Sequence, residues 1–143
     1  MTTIAQHKLH IQEHMQELTD ALTLGIENRP ATISLHASAC SISLLEAYLH
    51  ALGKISIGAM IKHEWFKEPK IGQKILPLAE RKLGVDFPRK QEILSLMYAI
   101  EEHRNKLIYG KPTKETATVL LSSFQKLHQI IKEEMQTLGE EIE

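Results

Sequence analysis

The residues best suited to chemistry are concentrated in one stretch, EEHRNKLIYGKP, at positions 101–112. Arg104 carries a forked set of donors that matches phosphate, and the amide of the adjacent Asn105 can orient that guanidinium. Tyr109 follows five residues after the arginine, and its phenol could donate to an oxyanion, although a phenol is a poor base at neutral pH. One helix end would therefore present a guanidinium, an amide and a phenol, a set of groups that can bind phosphate and that we predict as the candidate catalytic residues.

The same stretch also has a purely structural interpretation. Gly110 can adopt the left-handed conformation that ends a helix, and Pro112 prevents the helix from continuing. Arg104 and Asn105 would then only cap the helix and pair with Glu101 or with a neighbouring subunit. Both interpretations predict a long helix that ends here, so the local pattern leaves them open.

The other candidate sites are incomplete. His10 and His14 are four residues apart with His7 near the same stripe, but a metal needs further ligands, and no second ligand motif accompanies them. The pair His63-Glu64 lacks the second histidine of helical zinc proteases. We therefore predict no metal site and no cofactor.

Composition narrows the class of protein. Only 5% of the residues are aromatic, so the core must consist mainly of Leu, Ile, Ala and Met, which favours helices over a β-sandwich or barrel. The single cysteine, Cys40, excludes an internal disulfide, fits a reducing compartment and is expected to be an inert buried thiol. No signal peptide opens the chain and no apolar run approaches the roughly 18–20 residues that span a bilayer. We expect a cytoplasmic protein that makes no membrane contact.

The middle of the chain is its basic part. Residues 54–111 carry 12 Lys and Arg against 7 Asp and Glu, whereas both flanking segments are net acidic. A locally basic surface attracts phosphates. The predicted phosphate- or RNA-binding residues are Arg104, Asn105, Lys106 and Lys111.

Apolar residues recur at helical spacing along most of the chain, and no segment alternates as a strand would. The second predicted helix is rich in small residues, which let helix axes approach closely, so we place it at the centre of the packing. Leu22 and Val119 are expected on buried helix faces. The long helices are predicted at about 2–27, 31–52, 88–109 and 113–139.

The connection between the second and fourth units is less regular. Residues 55–66 are predicted as one short helix, EPKIG as a turn, and residues 73–87 as a second short helix that Gly84 ends. Asp86 is expected to cap the helix that follows. The predicted fold is thus all-α: one domain over residues 1–143, an antiparallel bundle of four to five helices with short helices between the second and fourth units.

The segment RNKLIYG, residues 104–110, resembles the defining motif of the HEPN family of small helical proteins. That motif is an Arg, a polar residue, and a His four to six residues after the Arg near a helix end, frequently Arg-Asn-x-x-x-His-Gly. The order of the helices is similar over most of the chain. The resemblance implies a homodimer in which the motif helices of two subunits form a shared cleft. It also implies metal-independent cleavage of RNA through its own 2′-hydroxyl, often by a toxin paired with a nucleotidyltransferase-type antitoxin.

The departure from the family motif is Tyr109, which occupies the histidine position. Three functions follow: a dimer that binds RNA or a nucleotide phosphate through Arg104 and Asn105 with weak or no cleavage, an active ribonuclease toxin, or a structural helical module. In the second, Tyr109 or His103 would take the role of the histidine. Some family members carry a tyrosine near the motif that the antitoxin modifies with a nucleotide, and Tyr109 lies at a different offset.

Overall fold

The computed structural model describes residues 3–67, 72 and 77–142. It is all-helical, with 75% helix and no strand among these residues, which confirms the predicted fold class. The helices are α1 (Ile4–Thr23), α2 (Pro30–Ala51), α3 (Leu78–Leu83), α4 (Lys90–Tyr109) and α5 (Lys114–Thr137), with short 3-10 helices at Ile26–Asn28 and His63–Phe66. Within the described part of the chain, no helix is long and apolar enough to cross a membrane.

The start of α1 follows directly from its sequence. The hydroxyl of Thr3 accepts the backbone N–H of Gln6 at 3.2 Å, and the side chain of Gln6 accepts the backbone N–H of Thr3 at 2.9 Å. This reciprocal capping satisfies two donors that a helix N-terminus otherwise leaves free. The predicted end near residue 27 is too late, because Gly25 adopts a φ of 101° and α1 ends at Thr23.

Helix α2 lies at the centre of the bundle, as predicted, and packs against α1, α4 and α5. Ala37, Cys40 and Ala47 are fully buried along it, so small side chains stand where neighbouring helices approach. Burial raises the pKa of the Cys40 thiol to about 12, which agrees with the inert thiol expected from the sequence. Leu22 and Val119 are 39% and 45% exposed; their predicted burial was wrong because the buried faces of α1 and α5 are narrower than the apolar pattern.

The segment 55–66 does not form the predicted helix, since only its last four residues are helical. Gly58 adopts a φ of 88°, and the carboxylate of Glu46 on α2 accepts the backbone N–H of Ile61 at 3.1 Å. A side chain thus satisfies a donor that would have bonded within a helix. Phe66 is buried and Trp65 packs against the core, so both anchor this segment as expected.

The next connection is partly as predicted. Gly84 ends α3 with a φ of 55°, whereas the predicted EPKIG turn, apart from Gly72, and the start of the second short helix lie outside the described residues. Asp86 was predicted to cap α4, and this prediction was wrong. Its carboxylate accepts the N–H of Phe87 at 3.2 Å, and α4 begins only after Arg89, whose φ is 60°.

Helix α4 ends at Tyr109, as the motif predicted, but by a different mechanism. Gly110 is extended, with φ −102° and ψ −164°, rather than left-handed. A Cβ at this position would lie 2.8 Å from the carbonyl oxygen of Lys106. Glycine is therefore required here for space, not for a positive φ.

Candidate functional site

Helix α4 turns Arg104 into the protein. Only 9% of the residue is exposed, and its Nη1 donates to Oδ1 of the half-buried Asn105 at 3.0 Å. The amide thus orients the guanidinium, which is the role that the sequence suggested for it. Arg104 has no ion-pair partner among the residues that the structure describes.

Arg104 faces a cavity of about 370 Å³ between α2, the segment 61–64 and α4, which we call the Arg104 cavity. This volume lies within the usual range for small-molecule sites. The cavity combines two cations, two imidazoles, one carboxylate, two serines and an apolar wall. Its lining residues are His14, Leu35, Ser38, Ala39, Ile42, Ser43, Ile61, Lys62, His63, Glu64 and Arg104.

A histidine–carboxylate pair stands at one side of the Arg104 cavity. Nδ1 of His63 lies 2.9 Å from both carboxylate oxygens of Glu101, and Glu101 is only 4% exposed. Because a carboxylate accepts and does not donate, Nδ1 carries the proton and the ring is held in one orientation. Nε2 of His63 lies 3.4 Å from the carboxylate of the exposed Glu64, and both His63 and Glu64 line the cavity.

A second imidazole reaches the Arg104 cavity from α1. Nδ1 of His14 lies 2.9 Å from Nδ1 of His36 on α2, so one ring donates and the other accepts. Burial and the neighbouring His36 lower the pKa of His14. His14 is therefore neutral at pH 7 and able to accept a proton.

The remaining predicted site residues lie elsewhere. Tyr109 is 80% exposed and does not line the Arg104 cavity. Lys106 pairs with Glu102 at 3.4 Å on the solvent side of α4, and Lys111 is exposed. His103 donates from Nδ1 to the Ala99 carbonyl at 2.7 Å and is also absent from the cavity lining. The structure thus brings Arg104 and Asn105 together and leaves Tyr109, Lys106 and Lys111 at the surface.

Sequence reasoning missed His63, His14 and Lys62 as members of a site with Arg104, and it named Glu101 only as a nearby titratable group and pairing partner of Arg104. Glu101 precedes Arg104 by three residues on α4, a spacing that places both on neighbouring positions of one helix face. That spacing was the available signal. The pairing of His63 with Glu101 spans 38 residues, and no local pattern indicates such a contact.

The three histidines considered for a metal do not converge. His7 packs against His50 with ring centroids 5.0 Å apart, while His14 turns toward His36. Within residues 3–67, 72 and 77–142, no group of three or more His, Cys, Asp and Glu side chains is arranged to hold a metal ion. The Arg104 cavity itself is lined by groups that bind anions and transfer protons, among them Arg104, Lys62 and His63.

Comparison of the chain with protein-family models, curated proteins and solved structures returned no match. The likeness to the HEPN family accordingly depends on the 104–110 motif and the helix order.

Proposed function

We propose that the protein binds a phosphate-bearing ligand, RNA or a nucleotide, in the Arg104 cavity. The observation that carries the proposal is a largely buried guanidinium whose hydrogen-bond partner is a neutral amide, Asn105, with no carboxylate paired to it among the described residues. A buried charge without a counter-charge is unfavourable, and an anionic ligand would supply that counter-charge.

The surroundings of Arg104 support an anion of this class. Lys62 lines the same cavity, so two cations can approach the same phosphate, while the hydroxyls of Ser38 and Ser43 add neutral donors. A guanidinium binds two phosphate oxygens at once, and such charge-assisted hydrogen bonds are roughly twice as strong as neutral ones. The apolar wall, which includes Ile42, could pack against a sugar or base.

Binding of a short RNA and of adenosine monophosphate tests this proposal. Arg104→Ala should weaken binding by about 10-fold or more, because bonds between charged groups contribute about 1.5–3 kcal/mol. Lys106→Ala is the matched control: it removes a cation from the same helix on the solvent side, and we expect less than about a threefold change.

Two results would contradict the cavity as the binding site. Equal binding by wild type and Arg104→Ala would show that Arg104 does not contact the ligand. Equal losses in Arg104→Ala and Lys106→Ala would indicate non-specific attraction to the surface. A large loss of stability in Arg104→Ala, without any effect on ligand binding, would favour the structural module instead.

The quaternary arrangement and partners belong to the same proposal. We infer an HEPN-like homodimer through the α4 helices, in which the exposed Tyr109 lies at the subunit contact, and a cytoplasmic location. Sedimentation should show a dimer that Tyr109→Glu weakens. Before the subunits associate, the exposed Tyr109 is accessible to a nucleotidyltransferase-type antitoxin, and transfer of a nucleotide to wild type but not to Tyr109→Phe would support that partner.

An active ribonuclease is the second candidate function. The observation in its favour is the oriented imidazole of His63 beside Arg104 in one cavity. RNA carries its own nucleophile, the 2′-hydroxyl, so cleavage needs groups that move protons and groups that stabilise the phosphate. Both kinds of group line the Arg104 cavity.

A further inference from the structure

We propose that His63, oriented by Glu101, and His14, paired with His36, are the acid and the base of phosphodiester cleavage in the Arg104 cavity. The inference rests on the proposed function, since a phosphate must first bind at Arg104. It assigns catalysis to side chains from α1 and the 61–64 segment, outside the 104–110 motif.

His63 has the geometry of a positioned proton donor. Its Nδ1 is fixed by the buried carboxylate of Glu101, with both oxygens at 2.9 Å. A third group that orients an imidazole is the recurring arrangement of acid–base sites. In its protonated form His63 can also donate from Nε2, which lies 3.4 Å from the carboxylate of Glu64. Glu64 is exposed, so its side chain can move aside for a substrate oxygen.

His14 has the complementary environment. The pKa of His14 is lowered, first by burial and then by His36, with His10 acting in the same direction and Glu13 opposing them. It therefore enters the reaction uncharged. When His14 donates from Nδ1 to His36, its Nε2 holds a lone pair and is the nitrogen that can take a proton.

The two imidazoles differ in a way that separates their roles. His63 faces two carboxylates, whereas His14 faces another imidazole. Titratable groups in environments of opposite electrostatic character, within one site, are the usual arrangement for an acid and a base. Lys62 and Arg104 from the same lining can offset the negative charge that develops on the phosphate oxygens.

The reaction balances without a further reactant. Nε2 of His14 takes the proton of the RNA 2′-hydroxyl while that oxygen forms a bond to the adjacent phosphorus. The bond from phosphorus to the 5′-oxygen breaks, its electron pair stays on that oxygen, and the oxygen takes a proton from His63. The products are a 2′,3′-cyclic phosphate and a 5′-hydroxyl. Exchange with water returns both histidines to their starting states.

This assignment also accounts for tyrosine at the motif position. The ring of Tyr109 is exposed and outside the Arg104 cavity. If the protons move through His14 and His63, the residue at position 109 takes no part in the chemistry. The acid–base role is then carried by residues that are distant in sequence from Arg104.

The test measures cleavage and binding separately. Cleavage is followed on a short RNA with detection of the cyclic-phosphate end, and binding on the same strand with 2′-O-methyl groups, which removes the nucleophile. Wild type should cut. His63→Gln and His14→Gln should each lower the cleavage rate by about 100-fold or more, the usual contribution of an acid or base, and should change binding less than about threefold.

His103→Gln is the matched control, because His103 lies next to Arg104 on α4 but its ring is bonded to Ala99 and does not line the cavity. We expect its cleavage rate to equal that of wild type. Circular dichroism verifies folding, and His63→Asn replaces His63→Gln if the latter does not fold.

The outcomes separate the two proposals. Binding that depends on Arg104, without cleavage by wild type or with undiminished cleavage in His63→Gln, overturns the catalytic assignment and leaves the proposed function standing. Loss of cleavage in His103→Gln also overturns it. Binding that is absent, or indifferent to Arg104→Ala, overturns the proposed function itself.

Discussion

Two regions of the protein surround a histidine with opposite kinds of groups. Between α1 and α2, His7 is 1% exposed, packs against His50, and has no hydrogen-bond partner for either ring nitrogen among the described residues. At the Arg104 cavity, His63 is held by the buried carboxylate of Glu101. We call the first region the histidine seam.

The difference shows that the surroundings of a histidine decide whether the fold accepts its charge. In the histidine seam, burial and then His50 lower the pKa of His7 to about 4. The pKa of His50 is also lowered by burial. At the Arg104 cavity, a carboxylate oxygen of Glu101 lies 2.9 Å from Nδ1 of His63 and would stabilise a positive charge on that ring. Acid should therefore destabilise the packing of His7 against His50.

The largest expected effect is acid destabilisation. Folding lowers the pKa of His7 to about 4, from the ordinary histidine value of 6.5, so folding favours its neutral form. The contribution is fully present above pH 6.5 and is lost as the pH falls toward 4. Between pH 7 and about pH 4.5 we expect the free energy of unfolding to fall by about 2 kcal/mol. Urea titrations across this range measure it, and a flat profile would contradict the environment assigned to His7.

His7→Phe should sharpen the same contrast. Phenylalanine keeps a flat ring beside His50 and removes two buried nitrogens that lack partners. Removing an unsatisfied buried polar group should raise the free energy of unfolding at pH 7 by about 1 kcal/mol and flatten its dependence on pH. His10→Phe, at an exposed position of the same helix, is the control. If the unfolding free energy of His7→Phe depends on pH as strongly as that of wild type, the pH dependence does not originate at His7.

Glu101→Gln tests the cavity side of the comparison. The amide preserves the volume and can still accept from His63, but it cannot balance a charge on the ring. We expect a loss of about 1 kcal/mol in unfolding free energy and a fall in cleavage of about 10-fold. The alkaline limb of the pH–rate profile should shift toward lower pH, because that limb reports the general acid. Glu102→Gln, at the adjacent exposed position, should change none of these. Unchanged cleavage and pH profile in Glu101→Gln would deny it a positioning role.

The smallest effect is expected at the exposed end of the motif helix. Tyr109→Phe removes one solvent-facing hydroxyl, so the free energy of unfolding should change by less than about 0.5 kcal/mol. The cleavage rate should stay at the wild-type value. If Tyr109→Phe folds but no longer cleaves RNA, Tyr109 takes part in the reaction. The distinction between a functional Arg104 and a Tyr109 without a role would then be wrong.

Much of the fold could be predicted because local rules decide it. Thr3 is a capping residue in front of an apolar helical pattern, and Gly84 adopts the left-handed conformation that ends α3. The error at residues 55–66 arose because a distant group intervened. The carboxylate of Glu46 on α2 accepts the backbone N–H of Ile61 and so prevents a helix there. No residue near Ile61 in the sequence predicts that contact.

In the candidate site, too, local sequence decides some features and distant contacts decide the others. The sequence by itself determined that Arg104 and Asn105 stand side by side at a helix end, and this adjacency is enough for one to orient the other. Which of the predicted groups would share a cavity depended on how α4 rotates against α2, because rotation decides which side chains turn inward. Packing buried Arg104 and left Tyr109 in solvent.

The tertiary structure alone brought His63 to Glu101 and His14 to the same cavity as Arg104. Helical spacing and capping act over a few residues, so the sequence determined the helices and their ends. Contacts across 38 residues arise only when apolar faces pack and carry polar residues together. Residue types and local order were therefore determined by the sequence, whereas the convergence of two histidines, Lys62 and Arg104 was decided by the packing of α1, α2 and α4.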